Sequence, residues 1–132
     1  MSKYLGAVGI AVSDLETSAA FYTEMLGMVE LQTIEAPTMT EIVLGFKGVR
    51  SAAVLLMKYA DGRKPDCKDD PVKLVFYVPD AKTTLEAIRD ANYVVVREAA
   101  EYPSLGGMIL GFAKDPDGYL IEIIQKPPKN QA

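Results

Sequence analysis

Glu122 is where a chemical reading of this chain starts. It interrupts an apolar run, Tyr119-Leu120-Ile121-Glu122-Ile123-Ile124. A carboxylate in an otherwise apolar strand is the anomaly on which a functional reading hangs, as a candidate for general acid–base work. The chain contains no histidine, which removes His-based triads, Cys-His pairs, two-His iron sites and the commonest zinc ligand sets. Catalysis therefore falls to carboxylates, Lys or Tyr. The single cysteine, Cys67, cannot form an internal disulfide, and its polar setting, Lys64-Pro65-Asp66-Cys67-Lys68-Asp69-Asp70, reads as loop. Neither a GxxxxGK[ST] nor a GxGxxG fingerprint is present, so no nucleotide site has sequence support.

The elements that must position Glu122 begin with Asp115-Pro116-Asp117-Gly118, a turn in which Pro presets φ, Asp bonds back to the main chain and Gly tolerates positive φ. On the strand that follows, alternation places Leu120, Glu122 and Ile124 on one face and Tyr119, Ile121 and Ile123 on the other. The segment from Leu110 to Gln125 also falls, 66 residues earlier, on Leu44 to Tyr59, with Leu44-Gly45-Phe46 matching Leu110-Gly111-Phe112. The chain reads as a tandem duplication. Its first cycle opens with a strand from Tyr4 to Val12, whose small face, Ala7, Gly9 and Ala11, leaves room in front of it, while Val8, Ile10 and Val12 pack on a helix. Ser13-Asp14-Leu15-Glu16 is a capping box that starts the helix, which runs to about Leu26 and is ended by Gly27. Strands follow at about 28–34, 40–46 and 52–58.

After a linker the cycle restarts. A strand from Val72 to Val78 puts Lys73, Val75 and Tyr77 on one face, and Asp80, standing 66 residues after Asp14, opens a helix to about Ala91 with Leu85 and Ile88 on its buried stripe. Strands at about 93–97, 108–113 and 119–125 complete it, with Gly106-Gly107 a turn or hinge. The expected fold class is α+β: one domain of two β-α-β-β-β modules, about 1–59 and 72–132 joined by a linker at about 60–71, forming a curved sheet around a cavity. Such a cavity, apolar with few polar groups, suits a small molecule.

Composition bounds the function. With 132 residues, 49% of them hydrophobic, there is material for one core, and no apolar run approaches a membrane span. A net charge of −4 with dispersed basic residues argues against nucleic acid. The basic tail Lys126-Pro127-Pro128-Lys129 reads as a frayed end. No signal-peptide layout precedes the first strand, so a cytoplasmic location is expected.

Three segments together resemble a known family: Ala7-Val8-Gly9-Ile10-Ala11-Val12-Ser13-Asp14-Leu15, Phe21-Tyr22-Thr23-Glu24-Met25-Leu26-Gly27 and Asp115-Pro116-Asp117-Gly118-Tyr119-Leu120-Ile121-Glu122 are similar to the vicinal oxygen chelate superfamily, which includes glyoxalase I, extradiol dioxygenases and bleomycin-resistance proteins. Arg97-Glu98-Ala99 followed by Gly106-Gly107 looks most similar to glyoxalase I. The resemblance implies a metal held by His or Gln on the first strand and Glu on the last strand of each half. Those positions carry Ala7 and Leu56, then Lys73 and Glu122, and the repeat gives the same correspondence, since 7 plus 66 is 73 and 56 plus 66 is 122. Hydrocarbon at two positions and an ammonium at a third leave one carboxylate, so no metal and no other cofactor is expected. The resemblance implies a metal-independent small-molecule binder of the bleomycin-resistance type, with Ala7, Gly9, Leu56, Tyr77 and Leu120 lining its ligand. It alternatively implies a lyase or isomerase in which Glu122 moves a proton and Lys73 steadies the developing enolate. A third option is an interaction partner whose cavity is filled. Members of the family commonly pair, so a homodimer is expected.

Overall fold

A computed structural model describes residues 2–128; Lys129 of the basic tail lies outside them. Each half of the chain repeats one order. The first half runs β1 (Ala7–Ala11), α1 (Leu15–Ala20), β2 (Val29–Glu35), β3 (Met39–Gly45) and β4 (Ala53–Tyr59), and the second β5 (Lys73–Tyr77), α2 (Ala81–Asp90), β6 (Val95–Tyr102), β7 (Met108–Lys114) and β8 (Leu120–Gln125). The strands form two four-stranded sheets, β1-β4-β3-β2 and β5-β8-β7-β6. In each the first and last strands pair parallel and the remaining neighbours antiparallel. This is an α+β fold of two β-α-β-β-β modules. The chain divides into two compact units, Met1–Asp66 and Cys67–Ala132, and the division falls inside the expected linker. None of the described helices is long and apolar enough to cross a membrane.

Local chemistry sets the helix starts. Asp14, not Ser13, is the N-cap of α1: in an extended conformation it accepts the Thr17 amide at 2.9 Å. Asp80 accepts the Thr83 amide at 3.0 Å at the start of α2. A carboxylate caps as well as a hydroxyl, so the cap moves one residue from the capping-box reading. Beyond Ala20 the helix widens into a π-helical turn, Phe21–Met25, which lets the consecutive rings of Phe21 and Tyr22 both lie buried, edge to face with centroids 5.1 Å apart. Gly27, at φ 75°, ends it.

Burial follows the alternation. In the first unit Val8 and Ile10 align with Val54 and Leu56, and Ile42 and Leu44 continue those rows across β3. Ile10, Val12, Ile42, Leu44, Val54 and Leu56 are all buried on this side, where α1 packs on β3 and β4. Each fully buried aliphatic side chain contributes roughly 1.5–3 kcal/mol. The opposite face carries Ala7, Gly9 and Ala11 in line with Ala53, Leu55 and Met57. Gly9 is small for a reason: the Met57 sulfur stands 3.0 Å from where its Cβ would be. In the second unit Phe76, Ile121, Ile123 and Ala113 are buried beneath Leu85 and Ile88 of α2. Gly111 permits that approach, since a Cβ there would meet Leu85 Cδ1 at 2.5 Å and the Arg97 carbonyl at 2.6 Å.

The repeat is not a constant 66 residues. Val8 pairs with Val54 and Leu74 with Ile121, so the offset is 66 between β1 and β5 but 121 − 54 = 67 between β4 and β8. Leu44 pairs with Val54 and Ala113 with Ile121, so between β3 and β7 it is 113 − 44 = 69. Leu44-Gly45-Phe46 and Leu110-Gly111-Phe112 therefore occupy different places: Gly45 ends β3 opposite Val29, while Gly111 lies mid-strand opposite Ile123. β6 also runs five residues past its expected end at Arg97, through register shifts flanking Arg97.

Candidate functional site

The turn after β7 fixes where Glu122 falls. Asp115, only 4% exposed, accepts the amides of Asp117, Gly118 and Tyr119 at 2.9, 3.0 and 2.9 Å. Its own amide is bonded to the Tyr119 carbonyl at 3.0 Å, and Gly118 takes the left-handed φ of 101° that closes the turn. From this hook β8 leaves with Leu120, Glu122 and Ile124 on the face away from α2. Its neighbours on that face are set by register: Glu122 is flanked by Val75 of β5 and Phe112 of β7, and Phe112 in turn by Arg97 of β6. Lys73 sits one row along, opposite Leu120.

Lys73 reaches diagonally across to Glu122. Its Nζ lies 2.9 Å from Glu122 Oε1, a charge-assisted hydrogen bond. The pair is lopsided: the Lys73 side chain is 47% exposed and that of Glu122 11%. A carboxylate thus lies at the floor of the face with an accessible ammonium beside it. Hydrocarbon from Val75, Phe112 and Leu120 surrounds them, and the Arg97 guanidinium stands over the Phe112 ring, 5.8 Å from its centroid. Chemically the arrangement offers a proton acceptor and a neighbouring cation to one bound carbonyl compound.

The structure brings Glu122, Lys73 and Leu120 together. Tyr77 shares their face but lies farther along β5, opposite Ile124, 60% exposed, with the Lys126 ammonium 4.7 Å above its ring. Ala7 and Gly9 belong to the first unit, on the face away from α1. Leu56 requires a correction. It is 0% exposed and aligned with Ile10 and Ile42 on the α1 side. Because the last strands are offset by 67, the residue that matches Glu122 is Leu55, which faces the same way as Gly9. Val75, Phe112 and Arg97 escaped sequence reasoning as neighbours of Glu122, although the alternation of Leu110, Phe112 and Lys114 carries the signal for Phe112.

The donor set does not suit a metal. The described residues include no group of three or more His, Cys, Asp or Glu placed to hold an ion. Ala7 and Leu55 offer hydrocarbon, and the one carboxylate, Glu122, is already engaged by an ammonium.

Residues 4–123 match the family model described as Glyoxalase/Bleomycin resistance protein/Dioxygenase superfamily. Among curated proteins, the chain is 37% identical over 120 residues to a probable lactoylglutathione lyase of Vibrio parahaemolyticus, covering 88% of this chain and 86% of that one. It is 35% identical over 119 residues to the lactoylglutathione lyase of Haemophilus influenzae, covering 88% and 87%. Among solved structures it resembles glyoxalase I from Zea mays, with a TM-score of 0.83 and 30% identity over 96% of this chain and 46% of that one. The trypanothione-dependent glyoxalase I of Leishmania major superposes with a TM-score of 0.81 and 27% identity, over 94% and 87%.

Proposed function

Since the chain belongs to the glyoxalase/bleomycin resistance protein/dioxygenase superfamily, we propose that it is a metal-independent lyase or isomerase of the glyoxalase I type, working at the carbon next to a carbonyl group. One observation carries this: the Lys73 ammonium, 2.9 Å from a Glu122 carboxylate that is itself only 11% exposed. The names of the relatives quoted above support the same class. In this reading Glu122 takes the proton from the carbon beside the carbonyl, Lys73 donates to the oxygen on which negative charge collects, and Glu122 returns the proton on the neighbouring carbon. Val75, Phe112 and Leu120 flank the pair, and it is the Glu122 end, 11% exposed, that water reaches least. The test is exchange of the α-proton of small ketones and hemithioacetals with solvent deuterium, followed by NMR. Glu122→Gln should slow exchange by about 10²–10⁴-fold, and exchange that is unchanged in this variant sinks the assignment.

A second reading is favoured by the hydrocarbon at Ala7 and Leu55. It is a binder that holds an apolar or aromatic molecule without transforming it. Saturable binding of such a ligand with no proton exchange would select it. Either reading is compatible with a homodimer, because each four-stranded sheet is open, with β1 and β2 or β5 and β6 as its outer strands. Sedimentation equilibrium should return twice the chain mass, and a monomer at micromolar concentration would contradict it.

A further inference from the structure

We propose that Lys73 acts as a nucleophile, condensing with the substrate carbonyl to form an iminium that serves as the electron sink. The inference rests on the reading that Glu122 moves a proton beside a carbonyl, and it replaces the hydrogen bond from the Lys73 ammonium to the carbonyl oxygen with a covalent step through which that proton becomes labile. Three features of the site point to it. The Lys73 side chain is 47% exposed, so its Nζ is accessible to an incoming carbonyl, while the Glu122 carboxylate beneath is 11% exposed and stays in place. The two are 2.9 Å apart, so the base needed to free the amine is already in hydrogen-bond contact with it. Register places Val75, Leu120 and Phe112 beside them, so the hydrocarbon part of a small carbonyl compound has apolar side chains to rest on next to both reacting groups.

The step balances without a co-reactant. Glu122 takes a proton from the Lys73 ammonium, and the amine lone pair forms a C–N bond to the carbonyl carbon while the carbonyl oxygen acquires the second amine proton. Glu122 then returns its proton to the carbinolamine hydroxyl, the C–O bond breaks and water leaves. Ammonium plus carbonyl has become iminium plus water, and Glu122 is again a carboxylate. It next removes a proton from the adjacent carbon, the C–H electron pair flowing to nitrogen to give a neutral enamine. Reprotonation and hydrolysis release the product carbonyl and restore Lys73. The substrate class is a small aldehyde or α-hydroxyketone with an unhindered carbonyl.

Reductive trapping tests this on the full chain. The protein is incubated with hydroxyacetone and sodium cyanoborohydride, and the adduct is located by intact mass and peptide mapping. We expect one adduct, at Lys73, favoured by about tenfold over Lys58, Lys114 and Lys126, and slowed in Glu122→Gln. Lys73→Arg, which keeps the positive charge but cannot form an imine, should lose both trapping and α-proton exchange. Label spread evenly over the lysines, or exchange retained in Lys73→Arg, overturns the imine and leaves the electrostatic role of Lys73 intact. Trapping at Lys73 in a protein that shows no proton exchange would instead overturn the lyase or isomerase reading and with it the electron-sink role, leaving only the nucleophilicity of Lys73.

Discussion

Replacing Lys73 by Met removes the ammonium and keeps most of the stem, leaving the Glu122 carboxylate without its 2.9 Å partner. Two limits bracket the cost. Breaking a fully buried ion pair costs about 3–5 kcal/mol, and breaking an exposed one costs under about 1 kcal/mol. This pair belongs to neither class, because Glu122 is 11% exposed and Lys73 47%. A hydrogen bond to a charged group contributes roughly 1.5–3 kcal/mol, and water that already reaches half of Lys73 discounts this, so Lys73→Met should cost about 1–2 kcal/mol. Glu122→Gln is different. It removes the charge that is expensive to keep dry, and it frees an ammonium that solvent already reaches, so its cost should stay below about 0.5 kcal/mol. The double variant strands nothing and should be more stable than Lys73→Met alone by about 1 kcal/mol. In urea melts with a slope of about 1–3 kcal/mol/M, Lys73→Met should lower the midpoint by roughly 0.3–2 M. Equal shifts for the two single variants, or a double variant as unstable as their sum, would refute the asymmetry on which the reasoning depends.

Removing the carboxylate in Asp115→Ala leaves three amides without an acceptor in a turn whose central side chain is 4% exposed, and should cost about 3 kcal/mol by thermal melting, with Asp115→Asn milder. Gly111→Ala should cost about 1–3 kcal/mol, because the added methyl meets backbone at 2.6 Å as well as Leu85; a neutral result would mean that β6 yields freely. The caps predict a pH signature. Amide hydrogen bonds from Thr17 and Thr83 hold Asp14 and Asp80 below the ordinary 3.8, so their stabilisation is present above that pH and is lost as pH falls through the lowered values. Asp14→Ala and Asp80→Ala should therefore melt earlier than the parent near neutral pH and converge with it in acid, and parallel melting curves across that range would count against the capping role.

Much of the architecture was legible because burial enforces alternation. The lopsided strand from Ala7 to Val12 assigned its own faces, and Glu122, Leu120 and Ile124 shared a face as the period of two required. Asp80 marks the second helix start, and the Ser13-Asp14-Leu15-Glu16 string marks the first to within one residue. What could not be read depended on spacing rather than residue type. Arg97-Glu98-Ala99-Ala100-Glu101 shows no alternation because register shifts interrupt it, so the sequence pattern of β6 stops at Arg97 although the strand continues. The π-helical turn has no residue signature of its own. Short matching strings carry only an offset of 66, and the drift to 67 at the last strand is invisible without the ladders. Nor does a sequence state that one member of an ion pair is sunk and the other raised.

That one-residue drift has a consequence for anyone transplanting chemistry between the halves. Copying the second half's carboxylate onto the first by counting would deliver it to Leu56, driving a charge beneath α1 beside Ile10 and Ile42, where it has no water and no partner. One place earlier, at Leu55, the same carboxylate would emerge on the face of Gly9 and Met57. The ladder, not the string, is the coordinate system in which this duplicated protein can be edited.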